Sequence, residues 1–222
     1  MRLLHIDTSN QPLSVSITDN NEVLAEFNSG MRINHSITLM SQVESLLKYT
    51  NLEMKDIEGI VVAKGPGSYT GLRIGVTAAK TLAYTLGIPL YAVSSLAALA
   101  ATVRMHEFLL VPVIDARRSH VYAGIYRYKG VRLECLEEDC YISIEDLNKK
   151  LKEQHLPYLF IGMDAEKLVD QLKGPTYYCI PRSAEFRRII SDADIVDTHT
   201  FEPTYLRISE AERNWLNNQD SQ

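Results

Sequence analysis

The chain has 222 residues, 45% of them apolar and 23% charged, with a net charge of −5 and a pI of about 5.7. That is the make-up of a soluble globular protein with core enough for one large domain or two small lobes. The acidic balance argues against a protein that grips nucleic acid unaided, and the arginine pairs Arg117-Arg118 and Arg187-Arg188 read as a solvated turn or helix face.

Arg2 to Ile6 reads as a strand ending on Asp7, so no apolar signal region forms there, and Thr8 to Pro12 is its polar turn. Leu13 to Thr18 alternates apolar and polar with period two, which predicts a half-buried antiparallel strand, and Val23 to Phe27 returns as a third. Ile33 to Tyr49 predicts a helix, with Ile37, Met40, Val43, Leu46 and Leu47 at helical spacing. The apolar run Ile60 to Ala63 then meets the most conspicuous stretch, Lys64-Gly65-Pro66-Gly67-Ser68-Tyr69-Thr70-Gly71-Leu72-Arg73-Ile74-Gly75. The order is buried strand, glycine-rich turn, helix, with Ser68 or Thr70 as cap. That helix, to Leu86, buries Leu72, Val76, Ala79, Leu82, Ala83 and Leu86, while Ile74, Thr77, Ala78, Thr81 and Thr85 opposite are small or apolar. It is therefore packed on both sides, within the chain or against a partner. Gly87 ends it, Leu90 to Val93 is a strand, and Ser94 or Ser95 caps a helix to about Arg104. The longest apolar run, Leu96 to Val103, is too short to span a bilayer.

From Phe108 the pattern restarts. Leu109 to Ile114 is a strand ending at Asp115, a polar turn follows, and His120 to Tyr128 alternates before Lys129-Gly130 turns the chain into Val131 to Ile142. Two apolar strands finishing in Asp, each with a polar turn and an alternating hairpin, indicate an internal duplication. We divide the chain into a first lobe, 1–107, and a second, reduced lobe, 108–222. In the second, Ser143 caps a helix to about His155, Pro157 to Ile161 is a strand, Asp164 to Leu172 a helix, and Thr176 to Ile180 a strand. Ser183 to Ile190 is a last short helix, and the tail from Phe201 frays from about Asn214.

The glycine stretch spaces its glycines G-x-G-x-x-x-G, which fails the dinucleotide, P-loop and kinase patterns. It is either a tight connection or a ligand loop. Asp7 and Asp115 end corresponding strands, so a two-lobed fold would point both into one cleft, where they suit Mg²⁺ on a nucleotide. The alternative for each carboxylate is local bonding to backbone N–H groups of its own turn. Thr8, Ser9, Gly65, Gly67 and Ser68 complete the candidate ligand residues. No two of the six histidines are spaced i, i+4, so no helical H-x-x-x-H metal site forms, and G-x-S-x-G is absent. Asp192, Asp194 and Asp197 lack the glycine and glutamate of a calcium loop. Cys135, Cys140 and Cys179 have no C-x-x-C spacing and suit a reducing cytoplasm.

Leu4-His5-Ile6-Asp7-Thr8-Ser9, the Gly65–Gly75 stretch and Ala92-Val93-Ser94-Ser95-Leu96 resemble the bacterial TsaB (YeaZ) family. So do Asp115-Ala116-Arg117-Arg118 with Val121-Tyr122-Ala123, and Pro203-x-Tyr205-Leu206-Arg207. The resemblance covers nearly the whole chain and departs at Met163, where relatives often carry a small residue. It implies an α/β, actin-like (ASKHA, ribonuclease-H-like) fold with duplicated β-β-β-α-β-α lobes. It also implies a cytoplasmic, non-catalytic subunit needed for threonylcarbamoyl transfer by TsaD to the adenosine next to the anticodon of tRNA. TsaD and the ATPase TsaE are the implied partners, with a homodimer when TsaD is absent and tRNA reached only through the complex. The implied interface is the paired helix faces, to which we assign Ile37, Met40, Val43, Leu47, Ile74, Ala78 and Thr81. No metal is expected. The competing expectation is a small ATPase or phosphotransferase that holds ATP or ADP with Mg²⁺ between Asp7 and Asp115.

Overall fold

β1 (Arg2–Asp7), β2 (Leu13–Asp19) and β3 (Glu22–Ser29) form an antiparallel meander. They belong to a computed structural model that describes residues 1–31 and 33–207. β4 (Gly59–Gly65) lies parallel to β1, and β5 (Leu90–Ser94) parallel to β4. The second half repeats this plan. β6 (Leu109–Asp115), β7 (His120–Lys129) and β8 (Arg132–Ser143) are antiparallel neighbours, while β9 (Tyr158–Ile161) and β10 (Thr176–Tyr177) add in parallel beside β6. The first sheet runs β3-β2-β1-β4-β5, with a sixth strand, β11 (Ile195–Val196), added at its β5 edge, and the second runs β8-β7-β6-β9-β10. The duplication read from two Asp-ended strands is thus a repeat of topology in the first five strands of each half. This is the actin-like α/β plan.

Helices follow the strands for local reasons. α1 (His35–Thr50) starts where the Asn34 side chain accepts from the Ser36 N–H, and α2 (Tyr69–Leu86) where Ser68 accepts from Gly71. Gly87 stops α2 in the left-handed region at φ 66°. Ser94 caps α3 (Ser95–Ala101), and Ser143 caps α4 (Ile144–Lys152) through the Asp146 N–H. α1 and α2 cover one face of the first sheet, burying Leu39, Val43, Val76 and Ala79 against Leu4, Ile6, Val15 and Val62. α4 does the same for the second sheet with Leu147 and Leu151. α3, apolar after Ser95, lies between the sheets. Ala98 packs with Val61 and Val93 of the first, and Leu96 and Leu99 with Leu110 and Ile161 of the second.

Several expectations change. β2 is not half-buried, because its polar side, Ser14, Ser16 and Thr18, is buried as well. The 3-10 turn Ser183–Arg188 covers that side, where Ser183 bonds Ser14 and Ser16 through their hydroxyls and Phe186 meets His5 edge-on. β11 (Ile195–Val196) then pairs with β5. Within the described residues, Ser183–Arg188, Ile195–Val196 and Phe201 therefore pack on the first lobe while Arg207 reaches Ala116 and Tyr141 of the second, so the stretch assigned to the second lobe is shared between the two sheets. α3 ends at Ala101 and α4 at Lys152, short of Arg104 and His155. α5 (Met163–Lys167) also stops early, continuing only as turns to Leu172. The expected fraying from Asn214 lies outside the described residues.

Candidate functional site

The end of β1 and the start of α2 meet as one unit. Asp7 is 1% exposed, and its Oδ1 accepts from the Ser9 N–H (2.9 Å) and hydroxyl (2.6 Å), while Oδ2 has no partner. Burial pushes this carboxyl above the usual carboxylate range, and the bonds from Ser9 and the charge of His35 offset only part of that rise. Thr8 donates its hydroxyl to the Gly71 carbonyl (2.7 Å), and the Ser68 N–H donates to the Ser9 carbonyl (2.7 Å). A Cβ on Gly67, Gly71 or Gly75 would run into Ser9 or Thr8. The Thr8-Ser9 backbone thus packs tightly against the β1 side of the glycine loop, while Gly67, Ser68 and Gly71 also border the cleft between the lobes. Gly65 is elsewhere, at φ 114° beneath the Thr204 carbonyl, where the Thr204 N–H donates to Lys64 (2.7 Å).

Between the lobes lies a cleft of about 620 Å³, with Ser9, Gly67 and Ser68 on one wall and Asp115, Arg117 and Asp164 on the other. Asp115 is exposed there, and its Oδ1 accepts from the Arg117 N–H while its own N–H donates to Asp164. Lys167 holds Asp164 at 2.7 Å. Asp7 stands behind Ser9 rather than on the wall. Asp115 lines the cleft and Asp7 does not, so holding Mg²⁺-nucleotide directly between the two carboxylates would require the Asp7–Ser9 turn to open. The reason is local: the Asp7-Thr8-Ser9 turn closes on its own carboxylate. Among the described residues, no three His, Cys, Asp or Glu side chains converge as a metal site.

The helix faces divide the predicted interface. Val43 and Leu47, assigned there from spacing, are core residues at 1% and 9% exposure. The inward stripe of α1 is Leu39, Val43, Leu46 and Leu47, which turns Ile37 (73% exposed) and Met40 (45%) outward. On α2, Thr81 is exposed, and Ile74 and Ala78 are half-buried against the first core. Another stripe of α2 is covered by the chain itself. Lys80 donates to the carbonyls of Phe201 (2.6 Å) and His199 (3.3 Å), Tyr84 meets His199, and Tyr69 packs against Tyr205.

The sequence suggests His35 as a polar or capping residue at the start of α1 and gives no signal for Asp139. His35 bonds the Asn10 carbonyl (2.9 Å) and lines the cleft, although the helix cap is Asn34. Asp139 accepts from Ser94 and Tyr126, and the three line a second cavity of about 420 Å³. Only the register of β8 brings Asp139 there, and no local pattern signals it.

Comparison with known proteins bears on this architecture. Residues 22–173 match the family model described as "TsaD: tRNA N6-adenosine threonylcarbamoyltransferase". The chain is 41% identical to the tRNA threonylcarbamoyladenosine biosynthesis protein TsaB of Bacillus subtilis, over 99% of this chain and 100% of that one. It is 33% identical to the protein of that name in Escherichia coli, over 57% of this chain and 55% of the other. YeaZ from Pseudomonas aeruginosa superposes with a TM-score of 0.79 at 22% identity, covering 92% of this chain and 99% of its own, which supports the fold. No described helix is long and apolar enough to cross a membrane. With a full-length relative at this identity and the duplicated sheets it shares with YeaZ, the chain belongs to the TsaB (YeaZ) family.

Proposed function

We propose that the chain acts in threonylcarbamoyladenosine formation on tRNA as a non-catalytic partner of the TsaD transferase. It works in the cytoplasm beside the ATPase TsaE, and pairs with a second copy when TsaD is absent. The observation that carries this reading is the exposure of Ile37 and Met40 on α1, with Thr81 exposed and Ile74 and Ala78 half-buried on α2, the helix that covers the same face of the sheet. Large apolar side chains at this exposure on a helix pair are costly to leave in water and suit a helical partner. Small side chains at 78 and 81 let a facing helix approach closely. The first-lobe turn supports the non-catalytic part. Asp7 is bound by its own neighbours and the glycine loop by Thr8 and Ser9, so neither is poised for chemistry. We hold the chain to carry no nucleotide or metal of its own.

Met40→Arg tests the reading. A guanidinium buried without a partner in such an interface costs roughly 3–5 kcal/mol, enough to abolish copurification with TsaD and threonylcarbamoyl transfer together. The folded variant copurifying as well as the wild type would refute it.

A further inference from the structure

The chain passes between the lobes at residues 102–108, after α3, and again at 178–182, after β10. Two such links make a hinge, and lobes joined by links alone move relative to one another by default. α3 lies between the sheets beside the first link, and its Leu99 lines the cleft. Its contacts with both sheets are apolar and therefore non-directional, so they hold a hinge axis more firmly than a hinge angle. The polar ties of Ser94 to Asp139 and of Arg182 to Glu26 sit at the links themselves.

A third crossing is made by side chains. Residues 199–205 lie on the first lobe, where Lys80 of α2 donates to the carbonyls of His199 and Phe201, and the Thr204 N–H donates to the Lys64 carbonyl (2.7 Å). The Tyr205 ring packs on Tyr69 with centroids 5.0 Å apart, and the Arg73 guanidinium stands 4.8 Å from the Tyr69 centroid. Two residues on, the chain is fastened to the second lobe. The Arg207 guanidinium donates to the Ala116 carbonyl (3.1 Å) and sits 5.6 Å from the Tyr141 centroid. Both anchors are firm: Ala116 is buried with its N–H bonded to the His120 carbonyl (3.0 Å), and the Tyr141 ring is backed by His120, stacked at 4.8 Å.

These fastening points belong to opposite walls of the cleft. Tyr69 lies between Ser68 and Thr70 on one wall, and Ala116 between Asp115 and Arg117 on the other. The backbone from Tyr205 to Arg207 spans at most about 7 Å when extended. The walls therefore have little slack to part before the Arg207 contacts break or Tyr205 peels from Tyr69. We propose that residues 199–207 are a latch that sets the width of the cleft between the lobes, with Arg207 as its catch. Release of that guanidinium lets the second lobe swing on the two links and opens the cleft. What the cleft admits is then decided at a residue outside its own lining.

Pulsed electron paramagnetic resonance between spin labels on the two lobes tests this in the full chain. Lys55→Cys and Asp170→Cys supply exposed sites, one on each lobe and neither in the cleft lining. Cys135→Ser and Cys140→Ser remove the accessible thiols, while Cys179 is buried and stays. The expected result is one narrow distance distribution with Arg207 in place. Arg207→Ala should displace the mean by more than about 2 Å or broaden the distribution by as much. Arg207→Lys keeps a donor for the Ala116 carbonyl and should restore most of the narrow distribution. Melting temperatures are taken on the same samples, because a contact that serves stability alone lowers them without moving the lobes. Arg207→Ala with the wild-type distribution, whatever its melting temperature, would overturn the proposal. So would Arg207→Lys displaced as far as Arg207→Ala, since the bond to the Ala116 carbonyl would then not be the catch. The chain is measured without TsaD, so the outcome is independent of the role proposed above.

Discussion

Gly71→Ala separates the two readings of the glycine loop. The added methyl group meets the Thr8 carbonyl well inside contact distance, and the Ser68 side chain at 3.3 Å closes the other side. Because the obstacle is backbone, β1 and α2 must shift apart. Overpacking of this kind costs about 1–3 kcal/mol. The shift also lengthens the hydrogen bond from Thr8 to the Gly71 carbonyl, worth about 1 kcal/mol. Against these, alanine gains at most about 1 kcal/mol of helix propensity over glycine. The net expectation is a loss of about 1–3 kcal/mol, or a fall of roughly 3–10 °C in melting temperature for a chain of this size. Urea unfolding followed by circular dichroism measures it. Gly30→Ala, with nothing within 4 Å of its added Cβ, serves as a control expected to change stability by under about 0.5 kcal/mol. A loop held open for phosphate would tolerate the methyl group. Gly71→Ala as stable as wild type, or more so, would refute the packing account.

Val43→Arg and Met40→Arg should part company: the first puts a charge into the core and unfolds the lobe, the second leaves the melting curve within about 0.5 kcal/mol of wild type. Thermal melts of the two check this directly. Two buried groups set opposite pH slopes. Asp7 keeps its proton to higher pH when folded than when unfolded, so it removes stability as pH rises from about 4 through its raised folded value, and Asp7→Asn should flatten that slope. His5 is held neutral by burial and by the charge of Arg187, its pKa down at about 3, so stability falls as pH drops from 6.5 toward 3; His5→Gln should weaken that acid limb. Urea titrations at stepped pH read both. Lys80→Ala removes the two bonds that hold His199 and Phe201 on α2, and should cost about 1–2 kcal/mol and speed proteolysis between 197 and 207.

Much of this was legible where the signal is local. Strands ending at Asp7 and Asp115, the caps at Ser68 and Ser143, and the stop at Gly87 each depend on a few neighbouring residues. The duplication was legible because two strand-turn-strand units share a design. What failed depends on residues far apart in sequence. Ser14 and Ser16 alternate as a solvent face should, yet Ser183 arrives 169 and 167 positions later to bury them. Val43 and Ile37 both sit at helical spacing, but the stripe that turns inward is set by the sheet beneath α1, and it includes Leu39 instead of Ile37. Asp7 looked poised for a cleft because strand ends face clefts in such sheets. Its side chain instead closes a turn on Ser9, an outcome equally consistent with the same sequence.

The proposed role is to support TsaD without performing the transfer. Reconstituted threonylcarbamoyl transfer to tRNA by TsaD and TsaE, with and without the purified chain, tests it most directly. The account predicts that transfer requires the wild-type chain, persists with Asp7→Asn and is lost with Met40→Arg. Equal transfer in the absence of the chain would contradict it.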